Sequence, residues 1–288
     1  MRTLDLESLE IFSAVVREGG IVRAAAKLHR VPSNVSTRVK QLERELGVAL
    51  FRKQGRSLAL SAEGQVLLSY VQRLFHLADE AESQLRSGHP AGVFRIGALE
   101  STAGSRLAPV LSRFHRAYPG VEVELATGTT GALLDRVANF ELEAAFVSEP
   151  FNARGFEAIR VFDEELVLIT ARTVARVKQP GDLAGATMVA FAAGCSYRRK
   201  LEEWLGAAGI APARTLELAS YQAMIACVAA GTGFAAVPRS LLLALRAARD
   251  VAQHELPARI RRSSTHLVWK GEPSSVLGLF REVLGQPG

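Results

Sequence analysis

Cysteine is nearly absent from this chain: Cys195 and Cys227 are the only two among 288 residues. Two such residues build no disulfide framework, which excludes the small cross-linked secreted scaffolds and fits a reducing compartment. Long apolar runs are missing too. Hydrophobic residues make up 48% of the chain, ample for a sizeable core. Yet no stretch nears the roughly 18 uninterrupted apolar residues of a membrane span. The N-terminus, MRTLDLESLEIF, lacks the charged start, long apolar core and small-residue cleavage site of a signal peptide. A cytoplasmic protein is expected.

The signatures of catalysis are also wanting. His29, His76, His89, His115, His254 and His266 are isolated, with no metal-ligand spacing, and there is no C-x-x-C. Neither a G-x-S-x-G elbow nor a G-x-x-x-x-G-K-[ST] phosphate loop occurs. Gly231-Thr232-Gly233 with Ala236 imitates a dinucleotide fingerprint, but it follows a predicted helix and precedes a strand. Pyrophosphate binding needs the reverse order. No cofactor or metal is expected, and an enzyme acting on small molecules is kept only as an alternative.

What is present is charge, and it is local. Residues 17–60 hold 10 Lys/Arg against 3 Asp/Glu, a net of +7, while the whole chain is only +6. A basic surplus confined to one segment is the footprint of a nucleic-acid-binding module. The bland alternative is a three-helix domain with a solvated basic face.

The pattern within that segment favours DNA. Residues 21–60 read as a short helix, a break at His29-Arg30, a longer helix and a basic hairpin, which is a winged helix-turn-helix. Pro32 suits a helix start and Gly47 a C′ stop. Val35, Val39, Leu42 and Leu46 recur at helical spacing and face inward. Ser33, Asn34, Thr37, Arg38 and Gln41 then point outward, able to bond base edges or phosphates. Pro32, Ser36 near the helix start and Arg30 in the break join these candidates. Arg52, Lys53 and Arg56 follow in the expected wing.

These residues resemble the N-terminal domain of LysR-type transcriptional regulators. The match lies in Leu9, Phe12, Val15, Ala24-Ala25, Leu28, Val35, Ser36, Leu42-Glu43, Leu46-Gly47, Leu50-Phe51, Arg56, Leu60 and Gly64. It runs without a gap from about residue 4 to residue 64. The chain departs from the family at Gly20 and Val22, where Ser and Thr are usual, and at Val31-Pro32, where Ser-Gln is usual. Lys53 stands for the usual Arg, and Ser61 for the usual Thr.

From Ser61-Ala62-Glu63 a helix is expected to about Arg86. Leu67, Val71, Leu74, Ala78, Ala81 and Leu85 repeat at spacings of 3 and 4, a coiled-coil seam. A single helix cannot bury such a seam, so a homodimer through this helix is expected; the alternative packs it on the chain's own second domain. Residues 87–92 form a linker of turn residues.

Beyond it, strands and helices alternate. Strands are expected at 94–98, 121–125, 144–147, 165–170, 187–191, 216–218, 234–237 and 265–269. Helices fall near 104–117, 131–139, 197–207, 221–230, 239–248 and 274–284. This βαβ order implies a mostly parallel sheet. The expected class is α/β with an N-terminal all-α winged helix-turn-helix and a C-terminal two-lobed α/β domain like that of periplasmic binding proteins. The division is 1–60, 61–88 and 89–288, with lobe I about 92–161 and 266–288 and lobe II about 162–265. The resemblance implies two crossings between the lobes, near 160–164 and 262–266, and a small effector in the cleft.

Ligands of open parallel sheets bind beyond the carboxyl ends of the strands. Three expected strand exits carry hydroxyls: Glu100-Ser101-Thr102, Thr127-Gly128-Thr129-Thr130 and Cys195-Ser196-Tyr197. Each turn has a plainer reading as a helix N-cap. By resemblance, Ser101, Thr102 and Thr129 match effector-contacting positions. Thr130, Cys195, Ser196, Tyr197 and Tyr221 complete the candidates, the tyrosines walling the site or sitting half-buried in the core. The hydroxyls suit an effector carboxylate. Glu100, if it faces the cleft, argues for an amine or zwitterion.

A rival mechanism is redox sensing. Cys195 at a helix start, near Arg198 and Arg199, is expected to favour the thiolate. Peroxide sensors of the resembled family carry a resolving cysteine shortly afterwards, and this chain has none before Cys227. The resemblance therefore implies a sequence-specific regulator, a homodimer or pair of dimers. It would bind an interrupted palindrome in double-stranded DNA, answer a small polar metabolite and contact RNA polymerase.

Overall fold

The computed structural model describes residues 4–54, 57–87, 90–174 and 176–286. The chain divides into two compact units, Met1–Arg86 and Ser87–Gly288.

In the first unit, α1 (Leu6–Arg17), α2 (Ile21–Lys27) and α3 (Pro32–Leu46) precede a hairpin of β1 (Phe51–Gln54) and β2 (Ser57–Leu60). Asp5 caps α1, accepting the Ser8 N–H at 2.8 Å. The break after α2 falls where His29 takes a positive φ of 54°. Pro32 opens α3, and Gly47 closes it in the left-handed region at φ 70°. Val35, Val39 and Leu42 are buried, and Ala24 and Ala25 are small enough to let α2 lie close against α3. Glu43 ties the wing to the helix: its Oε1 accepts the N–H of Leu50 at 2.8 Å and of Phe51 at 3.2 Å. Arg56 lies outside the described residues, as do residues 88–89 of the expected linker; the side chains of Lys53 and Leu85 are likewise not described.

The helix α4 (Ala62–Ser87) begins at the Ser61 cap, whose Oγ accepts the Gly64 N–H at 2.8 Å and donates to the Ala49 carbonyl at 2.7 Å. Its seam departs from expectation. Leu67 and fully buried Val71, with Leu68 and Phe75, pack on Leu9, Phe12, Leu42 and Leu50. The free apolar face is instead Val66, Tyr70, Leu74 and Leu77, which are 59%, 56%, 42% and 62% exposed, followed by exposed Ala81. Heptad spacing fixes a stripe but not its partner, and the unit's own core takes the first turns.

The second unit opens with β3 (Gly92–Ala98). A continuous helical stretch follows, made of α5 (Glu100–Thr102), a π-helical turn at Ala103–Leu107 and α6 (Ala108–Ala117). Then come β4 (Val121–Thr127), α7 (Thr130–Ala138), β5 (Ala144–Ser148), the long β6 (Glu157–Thr170) and β7 (Thr187–Ala190). They lead into α8 (Ser196–Gly206), β8 (Arg214–Glu217), α9 (Tyr221–Ala229), β9 (Ala235–Pro238) and α10 (Arg239–Ala244). The chain ends with β10 (Ala252–Glu255), α11 (Ala258–Arg261), β11 (Arg262–Trp269) and α12 (Ser275–Gly285).

The sheet is mixed rather than mostly parallel. Its order is β10-β6-β11-β5-β3-β4, with β9 also on β6. Parallel pairing holds for β3 with β4 and β5, and for β7 with β8. The cause of the difference is β6 and β11, which carry the chain between the lobes and run antiparallel to each other. The first half of β6 pairs with β11, and its second half pairs with β9 and β10 in lobe II. The helix expected over 239–248 stops at Ala244, because Arg246 turns left-handed at φ 55° before a short 3₁₀ turn at Ala247–Arg249.

Phe94, Phe114, Phe146 and Phe280 fill the lobe I core, their rings meeting at 5.2–6.2 Å between centroids. A second core continues from Leu133 and Val147 through Leu166–Ile169 to Trp204, Ile225 and Phe234. β6 runs from the lobe I sheet into lobe II and so joins the two cores.

Candidate functional site

The first candidate surface is α3. Ser33, Asn34 and Thr37 are exposed, while Ser36, Arg38 and Gln41 are half-buried. Arg30 and Arg38 both reach Glu7 of α1, at 2.7 Å and 3.4 Å. Gln41 donates to Glu45 at 2.9 Å. Two exposed apolar residues were not among the sequence candidates: Val22 on α2 and Val31 at the cap of α3, 70% and 64% exposed. Their signal was visible as departures at two polar positions.

The second candidate lies where the lobes meet. From lobe I come Glu100, Ser101, Thr102, Thr129 and Thr130, and Ser148 at the end of β5. Lobe II contributes Cys195, Ser196, Tyr197 and Tyr221. Ser196 Oγ reaches Thr130 Oγ1 at 3.0 Å and donates to the Ser148 carbonyl at 2.8 Å. The Gly131 N–H donates to the Gly194 carbonyl at 3.4 Å, and Arg199 donates to the Pro150 carbonyl. Buried Glu164 of β6 takes Arg106 of lobe I at 2.8 Å and Ser240 of lobe II at 2.6 Å. The facing lobes thus meet through direct hydrogen bonds.

Three buried polar atoms here have no partner among the described residues: Glu100 Oε2, Ser101 Oγ and the Tyr197 hydroxyl. An unmet buried polar group costs about 1–3 kcal/mol. Thr129 by contrast caps α7, its Oγ1 accepting the Ala132 N–H at 3.4 Å, and Thr102 is 2% exposed. Tyr197 and Tyr221 are each 3% exposed, so both belong to the core. Burial pushes the Tyr197 phenol up to about 12, opposed by neighbouring Ser148 and Ser101. Tyr221 is also pushed well up by burial, and its ring lies 4.6 Å from that of Phe191. Ser148, Phe191 and Glu164 were missed by the sequence reading. Ser148 and Phe191 had a signal, since both stand at strand exits.

Cys195 reverses the expected sign. Burial raises its thiol pKa, outweighing the backbone N–H groups of Arg198 and Tyr197. The nearby cation is also engaged: Arg198 holds Glu202 at 2.7 Å, Glu217 at 2.6 Å and the Phe191 carbonyl at 3.0 Å. A thiol kept protonated reacts slowly with peroxide. Peroxide is therefore expected to leave operator binding unchanged, equally in the parent and in Cys195→Ser. A mobility-shift titration with and without hydrogen peroxide checks this; a peroxide effect abolished by the substitution would restore the redox reading.

Residues 6–65 match the model of the bacterial regulatory helix-turn-helix proteins of the lysR family, and residues 87–286 match the LysR substrate binding domain. The chain belongs to the LysR family. It is a DNA-binding transcriptional regulator with an effector-binding domain. The HTH-type transcriptional regulator GltR of Bacillus subtilis is 35% identical over 259 residues, which are 90% of this chain and 84% of that protein. A full-length OxyR variant from Pseudomonas aeruginosa superposes with a TM-score of 0.73 at 20% identity, covering 99% of this chain and 94% of that one. CbnR complexed with its target DNA gives 0.66 at 22% identity, covering 98% and 99%. At such identities the two structures show the LysR fold alone.

Proposed function

We propose that this LysR-type regulator reads an interrupted palindrome as a homodimer or pair of dimers and answers a small polar metabolite held between its lobes. The chain is read as 1–60 for DNA, 61–88 for dimerisation and 89–288 for the effector, with no catalytic role and a cytoplasmic location. Ser33, Asn34, Thr37, Arg38 and Gln41 meet bases or phosphates, with Arg30, Pro32 and Ser36 at the helix start and Lys53 and Arg56 in the wing. Val22 and Val31 offer apolar contact to thymine methyl groups.

One observation carries the effector reading: Ser101 Oγ, Glu100 Oε2 and the Tyr197 hydroxyl, buried and without a well-formed hydrogen bond among the described residues, lie where two lobes joined by β6 and β11 meet. Thr102, Thr129, Thr130, Cys195, Ser196 and Tyr221 surround them. Lobe movement on binding would change how the winged domains sit on DNA and meet RNA polymerase. A ligand bound only by the folded state stabilises it by about 2.7 kcal/mol at a hundredfold excess over Kd. A thermal-shift screen of metabolites on the full chain is therefore expected to yield a hit that also alters the operator footprint. Ser101→Ala is expected to lose most of that shift while staying folded. A confirmed effector that binds Ser101→Ala undiminished would place the site elsewhere.

A further inference from the structure

We propose that the interlobe site selects a small organic cation, its ammonium or guanidinium group seated on the Glu100 carboxylate beside Ser101 and Tyr197. This rests on reading the interlobe cluster as the effector site.

Glu100 follows the exit of β3 and faces lobe II. Its Oε1 accepts only a long bond, 3.4 Å, from the Tyr221 N–H. Its Oε2 is buried and has no partner among the described residues. Ser101 and Tyr197 are 1% and 3% exposed; their Oγ and phenol oxygen make no hydrogen bond of good geometry among the described residues, although Ser101 and Ser148 lie close enough to the phenol to oppose the rise in its pKa. An ammonium group is three donors with no acceptor, which suits one carboxylate oxygen and two hydroxyl oxygens. Burial also raises the Glu100 pKa, and the one opposing influence is the Tyr221 N–H. A ligand cation would supply the missing counter-charge.

The surrounding charges disfavour an anion. Arg198 is spent on Glu202, Glu217 and the Phe191 carbonyl. Arg106 is held by Glu164, and Lys200 donates to the Arg262 carbonyl at 2.6 Å. A carboxylate entering beside Glu100 would meet a like charge in a poorly solvated place, where two carboxylates cannot both stay ionised cheaply. Beside Tyr197, a small space within lobe II is lined by Phe191, Tyr221 and Met224, together with Cys195 and the ion-paired Arg198; its rings offer faces to a cation and its apolar wall suits methylenes. That space has barely the room one water molecule needs. Entry therefore requires the Ser196–Thr130 and Gly131–Gly194 contacts to part.

Probes built on a four-carbon chain and differing in their end groups test the class. Full-length protein is titrated with diaminobutane and agmatine, and with butanediol and succinate, by thermal denaturation and calorimetry. Either cation is expected to bind and raise Tm, whereas the diol and the diacid do not. Glu100→Gln is expected to weaken cation binding by about tenfold or more, with its ligand-free Tm close to that of the parent. Should Glu100→Gln prove unstable, Glu100→Asp serves, weakening the cation by misplacing the same charge. A succinate response abolished in Ser101→Ala overturns the cation class and leaves the interlobe site standing. Silence from both cations also overturns the class. A cation response unaltered in both Glu100→Gln and Ser101→Ala overturns the placement as well.

Discussion

Replacing Leu77 by aspartate is expected to cut operator affinity by about a hundredfold or more, since tethered two-site binding gains roughly 10²–10⁴ over one site. Leu77 is 62% exposed on α4, one turn from Leu74 and two from Tyr70. With Val66 and Ala81 these residues form the apolar face that the first unit's own core leaves uncovered. A carboxylate there must be desolvated if two such faces meet, at a cost of several kcal/mol. The same carboxylate touches nothing in the core of Leu9, Phe12, Leu42, Leu50 and Val71, so the winged unit keeps its fold. Sedimentation should show the variant as a monomer, and mobility shifts should show weak occupation of a single half-site. A Leu77→Asp protein that remains dimeric, or a monomer that binds the operator as tightly as the parent, would remove α4 as the dimer contact.

The α4 result also shows where sequence reading stops. Pro32, Gly47 and the buried Val35, Val39 and Leu42 made α3 legible, because local chemistry starts it, stops it and picks its inner face. The α4 stripe was visible too, but spacing cannot say that Leu67 and Val71 belong to the chain's own core. Apolar runs located most strands without their direction. β10, with its sequence AQHE, escaped notice because it is a polar edge strand. β6 was half seen, since Glu157–Glu164 breaks its four apolar residues with four charged ones and its pairing with β11 is settled a hundred residues later.

The site divides in the same way. Strand exits pointed to Ser101, Thr129 and Ser196 from sequence, by topology alone. Which of them would cap a helix and which would bridge lobes is a tertiary matter. Thr129 caps α7, whereas Ser196 meets Thr130 across 66 residues of chain. The sign of the Cys195 shift was likewise out of reach. Helix position and nearby arginines were readable, while burial and the ion pairs that occupy Arg198 were not.

Arg38→Ala is expected to weaken operator binding by about 1–3 kcal/mol, the worth of a good base-edge contact, or roughly 5- to 150-fold. In the free protein Arg38 and Arg30 share Glu7, at 3.4 Å and 2.7 Å, all three side chains being more than a third exposed. Pairs of that kind are worth about 0–1 kcal/mol, so DNA can take Arg38 from Glu7 at little cost. The loss should fall on the operator and hardly on unrelated DNA. Lys53→Ala is the contrasting case: removing a cation from a phosphate weakens binding to every sequence alike and lowers the salt slope by about one. Glu7→Gln should act in the opposite direction, freeing two guanidinium groups and strengthening binding most at low salt. Mobility shifts of the three folded variants on operator and scrambled duplexes, at several salt concentrations, separate these effects. If Arg38→Ala binds the operator like the parent at every salt, recognition belongs to another part of α3, with exposed Ser33, Asn34 and Val31 next to be replaced.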